Sequence, residues 1–175
     1  MNGDGSSEHG QHLRRLVLAA MFAAIATVLG TVSFPVGPAK VAPFQHAVNA
    51  VAGILVGPWY AAGAALVTAI LRNVLHTGTV FAFPGSPFGA LAVGYAYRLL
   101  RNDAAALCEP IGTVLIGAPL AALAFKPLFV PGSHLTVWLF MWAFLASSGP
   151  GAVLGYLVVR VLRRIPARGL GPVPS

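Results

Sequence analysis

The chain has 175 residues, of which 57% are hydrophobic and only 9% charged, with a formal net charge of +7. A soluble domain carries nearer a quarter charged residues, so these few charges cannot cover a water-facing surface and an ordinary soluble domain is excluded. The positive balance does not point to nucleic acid either, because the basic residues flank apolar runs and form no stripe interleaved with aromatics.

Residues 1–12 are polar, with several glycines and serines, and read as a disordered leader. A first helix is expected from Leu13 to Ser33, stopped by Pro35, Gly37 and Pro38. Arg14 and Arg15 ahead of the run Leu16–Val32 imitate the opening of a signal peptide. That run is longer than a usual h-region, lacks a clean A-x-A site and is followed by further apolar segments, so the helix is expected to be retained. A second helix covers Val41–Val56 and a third Trp59–His76, joined as an antiparallel hairpin by Gly57-Pro58. Thr77–Pro87 reads as a loop. The fourth helix, Phe88–Leu100, is short against the roughly 20 residues of a full span. Either it is partly re-entrant or Thr79–Phe83 also enters the bilayer. A fifth helix covers Asp103–Phe125, Lys126–Leu135 forms a loop, and a sixth helix runs from Thr136 to Leu162, bent near Gly149-Pro150-Gly151. Residues 163–175 form a basic, then Pro/Gly-rich tail.

The expected fold is an all-α integral membrane protein, a six-transmembrane-helix bundle over residues 13–162, multi-pass in the cell membrane. An even number of spans places both termini on one side. Arg14, Arg15, Arg98, Arg101, Arg160, Arg163, Arg164 and Arg168 then share that side, and only Lys40 and Lys126 lie in loops opposite. The positive-inside rule therefore makes both termini, with the leader and the tail, cytoplasmic. The lone Cys108 excludes an intrachain disulfide and a Cys-based zinc cage, and reads as a small buried hydrophobe.

Polar residues inside the spans are costly in hydrocarbon and need partners. Gln45, His46 and Asn49 share one face of the second helix; Thr68, Arg72 and His76 form an i, i+4, i+8 row on the third, with Asn73 beside them. The two sets lie at similar depth toward the outer side, as an outward-opening pocket for a polar small molecule requires. Interhelical hydrogen bonding that holds the bundle together accounts for the same residues, although an arginine is more than such bonding needs. Glu109 is the single acid well inside a span. It is expected about a turn and a half from the inner end of the fifth helix, nearer the cytoplasm than Arg72, which leaves ligand binding, pairing and snorkelling open. Phe83, Trp138 and Trp142, with Phe81 and Phe88, fit either an interfacial belt or a stacking wall for a flat ligand. Ala19/Ala23 and Ala20/Ala24 are small-xxx-small pairs that let another helix approach, within the chain or from a different subunit. No phosphate loop, H-E-x-x-H or Ser/His/Asp arrangement is present, and no metal or cofactor site is expected.

The ordered series Lys40-Val-Ala-Pro-Phe-Gln-His-Ala-Val-Asn49, Gly57-Pro58-Trp59-Tyr60, Leu71-Arg72-Asn73, Thr77-Gly78-Thr79, Phe83-Pro84-Gly85-Ser86 and Glu109 with Gly112-Thr113 resembles the ThiW family over Leu13–Leu162. The resemblance implies a substrate-capture (S) component of an energy-coupling factor (ECF) transporter. Such a protein is not an enzyme: it binds a vitamin or precursor from outside and docks on a transmembrane coupling subunit with two ATPase subunits. For ThiW the implied substrate is the thiazole moiety of thiamine, hydroxyethylthiazole, with the pyrimidine precursor or thiamine itself as alternatives. It further implies that Ala19, Ala20, Ala23 and Ala24 meet the coupling subunit and that Ser33–Ala42 caps the site. Without the resemblance, two other classes stay open: a small intramembrane hydrolase using His46, His76 and Glu109, and an assembly subunit whose polar residues only bind helices together.

Overall fold

The computed structural model describes residues 4–36 and 39–165. Helix α1 spans Asp4–Leu29, and a two-stranded antiparallel hairpin follows, β1 (Phe34–Val36) paired with β2 (Ala39–Val41). Then come α2 (Pro43–Leu55), α3 (Pro58–Val74), α4 (Ala82–Leu100), α5 (Asp103–Phe129) and α6 (Val137–Arg164). Three of these, α1, α5 and α6, are long and apolar enough to cross a membrane. Large apolar side chains stand fully on the outside, among them Leu99, Leu123 and Leu128 at 70% exposure or more, as a lipid-facing surface requires.

The local chemistry of the joints is legible. Gly57 has φ +89°, a conformation that suits glycine, and Pro58 opens α3 where its missing N–H has no intrahelical acceptor anyway. The Thr136 hydroxyl caps α6 by accepting from Leu139 N at 3.3 Å. Helix α5 is irregular. It opens as a 3-10 segment (Asp103–Cys108), and π turns at Thr113–Gly117 and Ala121–Phe125 interrupt its α-helical turns. Each π turn precedes a proline, Pro119 or Pro127, whose ring collides with the carbonyl four residues back; a wider turn relieves the collision.

Helix α2 is central, packed by α1, α3, α4 and α6. Glycines permit the closest approaches. A Cβ on Gly151 of α6 would stand 2.5 Å from the Pro43 carbonyl of α2, and one on Gly112 of α5 would run into the Phe88 carbonyl of α4. At one end of the bundle His12 of α1 hydrogen-bonds the Tyr60 hydroxyl of α3. At the same end Arg163 of α6 meets Asp103 at 2.7 Å and the Tyr97 hydroxyl at 2.7 Å. Both described chain ends therefore lie together, away from the β-hairpin.

Several boundaries depart from the sequence expectation. Helix α1 opens at Asp4, ahead of Leu13, so residues 4–12 are helical, and it ends at Leu29, ahead of the paired strands Phe34–Val36 and Ala39–Val41. The Gly37-Pro38 stop and the tail from residue 166 lie outside the described residues. The fourth helix begins at Ala82, not Phe88. Pro84 falls in its first turn, where a missing N–H costs nothing, so the Phe83-Pro84-Gly85-Ser86 stretch is helix and not loop. The fifth helix continues through Lys126–Phe129 before turning.

Candidate functional site

The hairpin, the start of α2, the end of α3, the start of α4 and the middle of α5 and α6 converge on one cleft. Lys40, Gln45, His46, Arg72, Phe81, Ser86, Thr113, Phe144 and Ser147 contribute to its lining. The space open to the centre of a water molecule is about 30 Å³, room for a couple of waters.

Two polar chains run through this cleft. In the first, Arg72 donates through Nη1 to Gln45 Oε1 and through Nη2 to the Thr77 carbonyl at 2.9 Å. Gln45 Nε2 donates in turn to Ser86 Oγ at 2.8 Å, and Asn49 Nδ2 makes a long contact of 3.5 Å with the Ser86 carbonyl. In the second, Glu109 Oε1 lies 2.6 Å from His46 Nδ1 and accepts from Thr113 Oγ1 at 2.9 Å. Glu109 is fully buried and its Oε2 has no partner. A Cβ on Gly89 would run into Glu109 Oε1 and Thr113 Oγ1, so this glycine makes the space for the carboxylate. Gln45, His46, Asn49 and Arg72 are all below 9% exposed. Each of these buried polar groups would be costly in hydrocarbon without a partner, and the two chains supply partners to most of them.

The structure unites about half of the expected set. Gln45, His46, Arg72 and Glu109 converge, and Asn49 supports them from behind. Asn73 turns away and ties its Nδ2 to the Ala69 and Thr79 carbonyls at 2.8 and 3.0 Å, which shapes the loop after α3. His76 is exposed with φ +56°; it contributes its carbonyl, which accepts from Lys40 Nζ at 3.3 Å. Phe83 is half-buried outside the lining, where Phe81 stands instead. Trp138 and Trp142 are 70% and 68% exposed and face outward. Phe144 is two residues beyond Trp142, about 200° around the helix, so it faces the cleft. Ala19 and Ala23 are buried against Ala64 of α3, whereas Ala20 and Ala24 are exposed.

Glu109 corrects the expected depth. The 3-10 segment ahead of it rises about 2.0 Å per residue against 1.5 Å in an α-helix, so six residues carry it about 3 Å further along the bundle. It meets His46 rather than lying inward of it. Lys40, Ser86, Thr113 and Ser147 were not among the expected binding residues. Thr113 was accessible through its i+4 spacing from Glu109, and Ser86 through its place in the Phe83–Ser86 motif. The sequence reading gives Lys40 only a topological role, as one of two basic residues in the outer loops.

The model of the thiamine-precursor transporter protein family (ThiW) matches residues 16–165. The chain belongs to the ThiW family. No curated protein sequence matches it. Among solved structures it is similar to the S component for biotin from an ECF-type ABC transporter, at 19% identity with a TM-score of 0.58, covering 91% of this chain and 94% of that one. At that identity the likeness establishes the fold. A ThiW-family chain on an S-component fold is a membrane transport protein, and its cleft lies where α2, α3, α4, α5 and α6 meet.

Proposed function

We propose that the protein is the substrate-capture subunit of an ECF-type transporter and that it binds the thiamine precursor hydroxyethylthiazole in this cleft. The observation that carries the proposal is the convergence of the Arg72–Gln45–Ser86 and His46–Glu109–Thr113 chains between Phe81 and Phe144. A small thiazole alcohol needs a few fixed donors and acceptors and an apolar wall, and this set supplies both. Six spans, with both termini cytoplasmic, put the cleft on the outer side of the cell membrane. The β-hairpin is the lid: the cleft is too tight for a thiazole, so entry requires the hairpin to lift. A thiamine or pyrimidine-precursor specificity is the alternative within the same class.

Calorimetric binding to the purified protein in detergent tests the assignment. Hydroxyethylthiazole is expected to bind tightly, with thiamine and the hydroxymethylpyrimidine precursor at least tenfold weaker, about 1.4 kcal/mol or more. Preference for either competitor would move the protein to another cargo.

Energy is supplied by a coupling subunit with two ATPases, docked against the exposed side of α1. Ala20 and Ala24 form that side, and the buried Ala19 and Ala23 are already used against α3. Ala24→Trp is expected to keep thiazole binding and lose co-purification with the coupling subunit. Retention of that subunit at wild-type yield would place the docking surface elsewhere.

A further inference from the structure

Arg72 is 2% exposed, yet no carboxylate lies within ion-pair reach of it among the described residues. The acids whose side chains are described are accounted for. Glu8 stands near the start of α1 at the far end, Asp103 meets Arg163, and Glu109 is engaged by His46 and Thr113. The partners of Arg72 are two neutral dipoles, Gln45 Oε1 and the Thr77 carbonyl, and its Nε has none. The carbonyl end of α3 offsets part of the charge, since Arg72 sits in the last turn, but amounts to only about half an elementary charge. A second cation, Lys40, lines the same cleft and is held by a single 3.3 Å contact to the His76 carbonyl. Counting the lining residues and Glu109, two cations face one carboxylate that is already occupied.

A buried cation without a counter-ion is stabilised by a ligand that brings one. We propose that, besides the neutral alcohol, the cleft takes a thiazole bearing a negative charge, a carboxylate or a phosphate, and holds it more tightly, with Arg72 and Lys40 as the anion's donors. This selectivity rests on the cleft being the capture site proposed above. Lys40 stands on β2, so an anion accepting from both Lys40 and Arg72 ties the hairpin lid to α3. Charge recognition and closure are then one event.

The test is calorimetry on the full chain in detergent at low salt with three probes. These are hydroxyethylthiazole, the same ring with an acetate in place of the hydroxyethyl group, and hydroxyethylthiazole phosphate. At least one anion is expected to bind about tenfold tighter than the alcohol, and the two anionic arms separate carboxylate from phosphate. In Lys40→Gln, a half-buried hairpin position whose replacement spares the helix packing, the ratio of anion to alcohol affinity is expected to fall toward one; in Arg72→Gln it falls likewise. Alcohol binding as tight as both anions, or a ratio unchanged in Lys40→Gln, overturns the selectivity and leaves thiazole capture standing. No binding of any probe by folded protein overturns both.

Discussion

Glu109→Leu is expected to destabilise the protein by about 3–5 kcal/mol and to reduce thiazole binding below detection. Glu109 is fully buried, its Oε1 serves both His46 and Thr113, and it holds His46 in one orientation at the edge of the cleft. Leucine removes the acceptor for two buried donors at once and leaves each to bear its own desolvation cost. Glu109→Gln separates charge from hydrogen bonding. The amide oxygen keeps the acceptor for Thr113 and for a neutral His46 Nδ1–H. If the native pair is neutral histidine with carboxylate, the amide should cost roughly 1–2 kcal/mol, within the range for a weakened charge-assisted bond. A loss as large as that of leucine would instead mean that the pair is a true ion pair. Unfolding in mixed micelles measures both variants, and a double-mutant cycle with His46→Leu should return a coupling of about 1–3 kcal/mol. Near-zero coupling would show that the two side chains do not support each other.

The second large effect is expected from an isopropyl group in the wrong place. Gly112→Val should cost about 3 kcal/mol or more, and in practice abolish the folded protein, because its Cβ would press on the Phe88 carbonyl and lie 2.9 Å from Gly89 N. Those are backbone atoms of α4 and cannot rotate away. The displacement would also pull α5 from α4 and carry Glu109 off His46. Gly63 on the exposed face of α3 is the control: a Cβ there meets nothing within 4 Å, so Gly63→Ala should be stabilising by a few tenths to about 1 kcal/mol. Thermal unfolding of the two variants beside the wild type decides the matter. A Gly112→Val protein with a wild-type midpoint would mean that α4 and α5 slide freely, and that the tight contact is dispensable.

The sequence by itself determined the class of molecule. Hydropathy is local and additive, so the apolar runs marked the helices, and the Gly57-Pro58 joint marked a tight reversal without any knowledge of packing. The polar faces of α2 and α3 were equally legible, because three- and four-residue spacing fixes which side chains share a face. Gln45, His46 and Arg72 could therefore be grouped in advance. The ordered motifs carried the family.

What only the tertiary structure decided was depth and facing. The 3-10 start of α5 set how far Glu109 travels along the bundle, and the small residues Gly89 and Gly112 set how close α5 comes to α4. Neither follows from a uniform helical rise. Ala19/Ala23 and Ala20/Ala24 have the same spacing and composition, yet the position of α3 buries one pair and exposes the other. Likewise the aromatics of α6 divide into an outward pair, Trp138 and Trp142, and the inward Phe144, a division made by where α4 and α5 lie. A sequence specifies each helix's faces; which face meets a neighbour, a cleft or lipid is a property of the neighbours.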